Sequence, residues 1–433
     1  MPRLPLLTFI FLCASLLGAR SCLALTRDGA VRQALANNRD LRAAYFEVEK
    51  ARGRLVQAGL WPNPELEFTG STDTPINNEG QYIVTTGFNQ AFPLTGRLRF
   101  AKASARVDVA QAMAEIRNRE RLLIGETVRA FIAVAATNEQ IAARRELLGI
   151  NQNFVQLSEQ RLQAAQVSQV DVNLARIEAQ RLQQEIDALE IERQTNLLAL
   201  KLKLGLKPDA PLKVEDSLQA IADQLAARTG EDGVFARRPD LRGLELAGDR
   251  ARAEARLARA EAWGDPTFGL TYENDRSVDD PRGLKTDQYI GLRVAVPLPL
   301  YNRNQGKVRE QIAAGNQAQA QAAALQLSIR GEIAEARMRA ERFGGLLATY
   351  RKNLLPLVAQ NTDLLRQGYS AGKADFSLIV QSQTQRGTLR TGYADALRDR
   401  ALALADLQTA TASSPFLKVD FLHRKPSAIR SGK

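Results

Sequence analysis

Side chains that commonly do chemistry are scarce and scattered in this chain of 433 residues. The single histidine, His423, lies in a basic tail, leaving little for imidazole acid–base work or a histidine metal centre. Both cysteines precede residue 24, so the rest of the chain has no thiolate and no disulfide. Met113 and Met338 offer thioethers to a soft metal such as copper. Each stands alone on an alanine-rich stretch and reads as a gap filler. No phosphate-cradling loop, dinucleotide fingerprint or nucleophile elbow occurs. Asp171 follows a turn and suits the cap of the next helix, where its oxygen would satisfy free N–H groups. An enzyme is therefore not expected, and neither is a cofactor or a metal site.

The elements around these residues point elsewhere. Aromatic residues are only 6% of the chain, while Ala, Leu, Arg, Gln and Glu dominate, the composition of helices packed on helices. Met1-Pro2-Arg3 and the apolar run Leu4–Leu17 form a leader, with a cleavage site near Cys22-Leu23-Ala24. The alternative of a lipid on Cys22 meets a poor motif, because Arg20 stands where a small or apolar residue belongs. Loss of Arg3 and Arg20 lowers the formal net charge from +11 to +9. The run Arg117–Arg121 mixes acids with bases and reads as a solvated helix face, so nucleic acid is not an expected partner.

The chain also repeats itself. Asp40-Leu41-Arg42 returns as Asp240-Leu241-Arg242, and Lys50-Ala51-Arg52 as Arg250-Ala251-Arg252. Trp61 returns as Trp263, Ala91-Phe92-Pro93-Leu94 as Ala295-Val296-Pro297-Leu298, and Leu147-Leu148-Gly149 as Leu354-Leu355-Pro356. Ordered matches at a slowly drifting offset mark a tandem duplication. The expected division is a signal peptide over 1–24, a first repeat over 25–210, a linker over 211–234, a second repeat over 235–414 and a basic tail over 415–433.

Each repeat follows one plan. A helix comes first, over 26–60 and 235–263. Two alternating segments follow, carrying Leu66 and Phe68 then Tyr82, Val84 and Phe88, and later Phe268, Leu270 and Tyr272 then Ile290, Leu292 and Val294. A period of two means strands of roughly 8–11 residues with one apolar face, as in a transmembrane barrel. A half-buried strand in a soluble sandwich would look the same locally. A long helix follows over 98–164 and 303–371, then a shorter one over 170–205 and 375–411, with bends at Gly149 and Pro356. A helix of ~67 residues spans ~100 Å, too long for a globular domain. Four strands per chain cannot close a barrel and unpaired edges cannot face lipid, so three chains would pool twelve.

These residues resemble the TolC-like outer-membrane efflux factors over nearly the whole mature length. The resemblance is carried by Ala30–Leu41, by Trp61-Pro62-Asn63-Pro64, by Leu354-Leu355-Pro356 and by the turns Arg161–Val172 and Tyr369–Leu378. Pro297–Gly306 is similar to the heavy-metal branch of cobalt–zinc–cadmium and copper–silver pumps. The resemblance implies a mainly α fold: paired long α-hairpins in a homotrimeric α-barrel, continuous with a twelve-stranded outer-membrane β-barrel. It implies a passive duct in outer membrane lipid, probed from below by a periplasmic adaptor. An inner-membrane exporter of the resistance-nodulation-division type would drive transport.

The same resemblance implies roles for single residues. Asp171, Tyr369 and Asp375 fall at the periplasmic entrance, where a carboxylate–phenol bond of ~1 kcal/mol could help hold it shut. Ala164, Ala165 and Gln166, with Ala371, Gly372 and Lys373, fall at the tips that an adaptor touches. Leu378 and Gln381 stand where relatives often carry acids, which argues against a strong acidic ring there. Trp61 and Trp263 precede the strand pairs and suit an interfacial aromatic girdle, with packing at the junction as the alternative. The rival cargo is a drug or a secreted protein; the rival class is a soluble periplasmic coiled-coil adaptor or chaperone.

Overall fold

The computed structural model describes residues 23–74, 76, 79–228, 233–279, 281–371, 373 and 376–417. Cys22, Gly372, Asp375 and His423 lie outside them. The chain opens with β1 (Leu23–Leu25) and α1 (Arg27–Asn37), the latter capped by Thr26, whose hydroxyl accepts from Gly29 N. Where one helix was expected over 26–60, Asn38 divides it. Its Oδ1 accepts from Leu41 N at 2.9 Å and starts α2 (Arg39–Gln57), because a short amide competes for backbone groups.

β2 (Glu65–Thr72) and β3 (Tyr82–Ala91) lead into α3 (Arg97–Gln163), a single helix of 67 residues. At 1.5 Å per residue it runs ~100 Å. The helix runs through Gly149 without a break. After a tight turn, α4 (Gln169–Lys203) returns alongside.

The stretch expected to be a linker holds structure. β4 (Leu212–Val214) pairs in parallel with β1, aligning Leu23 with Leu212. α5 (Leu218–Ala226) buries Leu218, Ile221, Ala222 and Leu225 in the main core, and apolar residues at 3,4 spacing are what put them on one face.

The second half follows with α6 (Val234–Arg237), α7 (Pro239–Ala260), β5 (Thr267–Asp279) and β6 (Gly283–Ala295). β5 and β6 have 13 residues each, longer than expected. The second long helix is interrupted: α8 (Gln305–Thr349) passes through a π turn, Tyr350–Leu354, into α9 (Leu355–Ser370). The discontinuity expected at Pro356 therefore takes the form of a widened turn just before it. Proline donates no N–H and its ring crowds the carbonyl one turn back, which a π turn relieves. α10 (Phe376–Ala410) returns to the middle of the molecule.

The four longer strands form one antiparallel sheet in the order β2-β3-β5-β6, so each half supplies a hairpin and β3–β5 joins them. Below it α3 packs against α2, α4, α7 and α10, and α8 packs against α7 and α10. α2 and α4 thus line one margin of the chain, and α8 and α9 the other. A large apolar cluster around Phe131, Ile132, Leu200 and Leu397 ties these helices to α1 and α5.

Candidate duct: the strand sheet and the helix tips

Register sorts the sheet into two faces. On one, Leu66, Phe88, Leu270 and Leu292 stand in a row, beside a row of Phe68, Thr86, Tyr272 and Ile290. The apolar and aromatic side chains of these rows are exposed, Leu292 to 86%. The other face carries Glu67, Thr85, Asn89, Glu273, Asp275 and Arg293. An apolar face turned to solvent opposite a polar one is the pattern of strands with lipid on one side and water on the other.

Trp61 and Trp263 sit where the helices hand over to the strands, 60% and 53% exposed. Trp61 makes an edge contact with Phe92, whose ring in turn meets Phe268 of the other half. Beside them Arg97, the first residue of α3, grips Asp265 before β5 with Nε 2.8 Å from Oδ1 and 2.7 Å from Oδ2, and with Nη2 on Oδ2. The first half's long helix is thereby tied to the second half's strand entry.

At the far end, the turn after α3 places Ala165 at φ 53°, a left-handed conformation normally left to glycine. Gln166 N donates to Arg161 O at 2.9 Å and Ala164 N to Gln160 O at 3.2 Å, so the last carbonyls of α3 are satisfied despite the missing glycine. Asp171 engages Ser168 reciprocally: Ser168 N donates to its Oδ2 at 3.0 Å and its own N–H donates to Ser168 Oγ at 3.2 Å. The capping alternative is thus what this chain shows for Asp171 on its own.

Tyr369 is 3% exposed, its ring 5.4 Å from that of Phe154, with the Arg161 guanidinium 4.3 Å over its face. Ala175 and Ile379 complete the cluster, so Tyr369 fastens α3, α4, α9 and α10 together near the tip. Within one chain Asp171 and Tyr369 are each engaged by these separate sets of neighbours. Ala371 N donates to Gln367 O at 3.1 Å and Lys373 N to Gly368 O at 2.8 Å, which closes the end of α9.

Sequence reasoning missed a deeply buried charge. Arg238, 2% exposed, donates to Asp240, to Glu332 on α8 at 3.0 Å and to Ala410 O at the end of α10 at 2.8 Å. Arg121 of α3 joins with Nη1 on Thr409 O at 3.0 Å and Nη2 on Asp240 at 3.3 Å. Burial pushes the Asp240 carboxyl upward, but the bonds from Arg238 and the charges of Arg121 and Arg238 outweigh it and hold it below the usual range. Burial, then repulsion from Arg238, lowers Arg121. The duplicated Asp-Leu-Arg motif was the available signal, since it aligns Arg238 with Asn38.

Among the described residues no helix is long and apolar enough to cross a membrane, and no three of His, Cys, Asp or Glu are grouped to hold a metal ion. The fold and its two-faced sheet define a strand-and-long-helix duct element of the outer-membrane type. The signature of the Outer membrane efflux protein family matches twice, over residues 30–206 and 233–413, and the chain belongs to that family. It is 25% identical over 380 residues to the cobalt-zinc-cadmium resistance protein CzcC of Cupriavidus metallidurans, covering 85% of each chain. It is 28% identical over 262 residues to the toluene efflux pump outer membrane protein TtgF of Pseudomonas putida, covering 57% of this chain and 54% of TtgF. The fold is similar to that of solved CusC at a TM-score of 0.73 and 20% identity, covering 89% of this chain and 91% of CusC. The protein is a transport channel of the outer membrane with a long periplasmic helical extension, not an enzyme.

Proposed function

We propose that this outer-membrane channel component of a tripartite efflux system works as a homotrimer, three chains closing side by side into one tunnel. The observation that carries this is the pair of open margins. β2 and β6 are the edges of a sheet with an exposed apolar face, and unpaired edges are not tolerated in lipid. Three chains joined β2 to β6 give twelve strands, an ordinary even barrel number. The helices follow suit, because α2 leads into β2 and α8 follows β6. Val170, Leu174 and Ile177 on α4, with Leu357 and Leu364 on α9, leave apolar side chains exposed along the two helical margins. A head-to-tail contact of this kind closes into a ring.

In this reading Trp61 and Trp263 anchor the periplasmic interface. The adaptor docks on the turns at Ala164–Gln166 and Ala371–Lys373, and Asp171, Tyr369 and Asp375 bias the entrance toward closure between neighbouring helices. As cargo we propose heavy-metal cations delivered by a resistance-nodulation-division-type exporter, supported by the CzcC match over 85% of both chains. The comparisons support the broader reading, a duct that also serves drugs or other organic solutes, further than the metal one, since a toluene-efflux relative matches alongside.

Assembly is tested on protein extracted from outer membranes in mild detergent. A native mass of three chains with stable channels in planar bilayers is expected; a monomer without conductance overturns the ring. Cargo is tested by deleting the gene in cells without a parallel duct. Lost tolerance to zinc, cobalt, cadmium, copper or silver is expected. Unchanged metal tolerance with lost tolerance to toluene, dyes or detergents replaces the metal cargo with an organic one.

A further inference from the structure

One feature of the polar sheet face spans all four strands. Glu67 stands on β2 and Arg293 on β6, the two edge strands, yet Arg293 Nη1 lies 3.7 Å from Glu67 Oε2. Register explains the reach. The row of Glu67 continues through Gly87 and Thr271 to Gly291, and the adjacent row of Arg293 passes through Gly269 and Asn89 to Glu65. Asn89 Nδ2 donates to Glu67 Oε2 at 3.1 Å, while its Oδ1 rests so close on Gly269 that any Cβ there would collide with it. Gly87, Gly269 and Gly291 add no side chain between the edge strands, where Thr271 is the residue of the Glu67 row that does.

Arg293 and Glu67 keep 61% and 51% of their side chains open to solvent, so the pair adds little to stability. Its place on the face opposite the apolar rows gives it another use. We propose that Glu67 and Arg293 set the permeation charge of the barrel lumen, with Arg293 cancelling Glu67 and so limiting the duct's preference for cations. This rests on the trimeric barrel proposed above, in which three such pairs ring the lumen at one level near its periplasmic mouth. Farther along the same face, Glu273, Asp275 and Asp287 are opposed by Lys285, which lies 3.0 Å from Asp287. The wall beyond the ring is therefore acidic, and at the ring Arg293 offsets part of the charge that Glu67 and Glu65 place on this face. Fixed charge in a narrow pore with low-dielectric walls enriches counter-ions, and screening over ~8–10 Å keeps each ring's effect local.

The test reads the potassium-to-chloride permeability ratio of single trimers in planar bilayers under a KCl gradient. Arg293→Gln is expected to raise the ratio about threefold or more, Glu67→Gln to lower it, and the double variant to return it near the starting value. Arg293→Cys gives the mature protein one thiol, which can be labelled in channels already inserted, so folding plays no part. The thiolate displaces methanesulfinate from a methanethiosulfonate reagent and forms a mixed disulfide. A trimethylammonium label is expected to restore the original ratio and a sulfonate label to raise it above that of the unlabelled cysteine variant. Inserted channels whose ratio ignores both substitution and label overturn the inference. Failure of the unaltered protein to form any channel instead overturns the duct reading on which it rests.

Discussion

Asn38 and Arg238, at matching places in the two halves of the chain, each donate to a backbone carbonyl at the far end of their own half's last helix. Asn38 Nδ2 reaches Lys203 O at 3.1 Å, where α4 ends, and Arg238 Nη1 reaches Ala410 O at 2.8 Å, where α10 ends. The duplication has kept the contact and changed its chemistry: a neutral amide in one half, a guanidinium within a buried charge network in the other. Cationic donors suit the negative end of a helix dipole.

The two contacts should differ in cost when removed. Arg238→Met leaves Asp240 with Arg121 alone and takes the donor from Glu332 and Ala410 O, and is expected to cost ~3–5 kcal/mol, the usual price of breaking a buried pair. Asn38→Ala loses one cap and is expected to cost ~0.5–2 kcal/mol. Thermal unfolding of both variants in one detergent checks the order, and an equal loss would show that the charge network adds nothing.

Acid should loosen the second half through Asp240. Its carboxyl titrates below the ordinary range, so its contribution is fully present above the unfolded value of ~3.9 and is lost as pH falls through the lower folded value. The melting temperature is therefore expected to drop steeply below pH ~4. Asp240→Asn should flatten that limb, at a lower melting temperature near neutrality. A limb of unchanged slope would assign the acid sensitivity to other carboxylates.

At the first tip, Ala165 holds a left-handed conformation that costs an L side chain ~1–2 kcal/mol. Ala165→Gly is expected to stabilise the turn by about 1 kcal/mol and slow amide exchange around Gln166. Faster exchange would mean that the alanine methyl contributes packing that outweighs its strain.

Cys22→Ser is expected to leave the protein in the outer membrane. Lys203 Nζ pairs with Glu126 at 2.6 Å, which sets the end of α4 at a level ~44 Å down α3 from Arg97. Leu25 joins the same buried core as Leu200 and Leu204 at the end of α4, so β1 packs into the helical core and not against the strand sheet. Outer-membrane placement is therefore expected to rest on the strand sheet and not on a lipid at Cys22. Fractionation with acyl-chain labelling checks this, and loss of the variant from the outer membrane would contradict it.

How much of this was legible depended on pattern length. Sixty-seven residues of uninterrupted helix and strands as regular as Phe268, Leu270 and Tyr272 declare themselves through periodicity. The π turn did not, because Pro356 announces a discontinuity but not its form. Asn38 as a helix divider was overlooked because the apolar spacing continues across it. The structure in 211–234 escaped because β4 is three residues long and means nothing until β1 lies beside it. The Arg238 network and the Glu67–Arg293 bridge join positions whose proximity only the fold supplies. Of the expected entrance set, Asp171 shows a local cap and Tyr369 a tip-fastening ring, while Asp375 lies outside the described residues.

The pairing of β1 with β4 also bears on the order of events after secretion. The strand at Leu23–Leu25 finds its partner at Leu212–Val214, so the first half is a loop whose two ends are clipped together. Closing so long a loop is slow, yet it draws only on residues delivered before the second half. The sheet differs, because β3 needs β5 of the second half, and in the trimer proposed above its outer strands need other chains. A newly exported chain can thus clip the ends of its first half together while its strands, and the sides of α3 that pack on α7 and α10, still wait for the second.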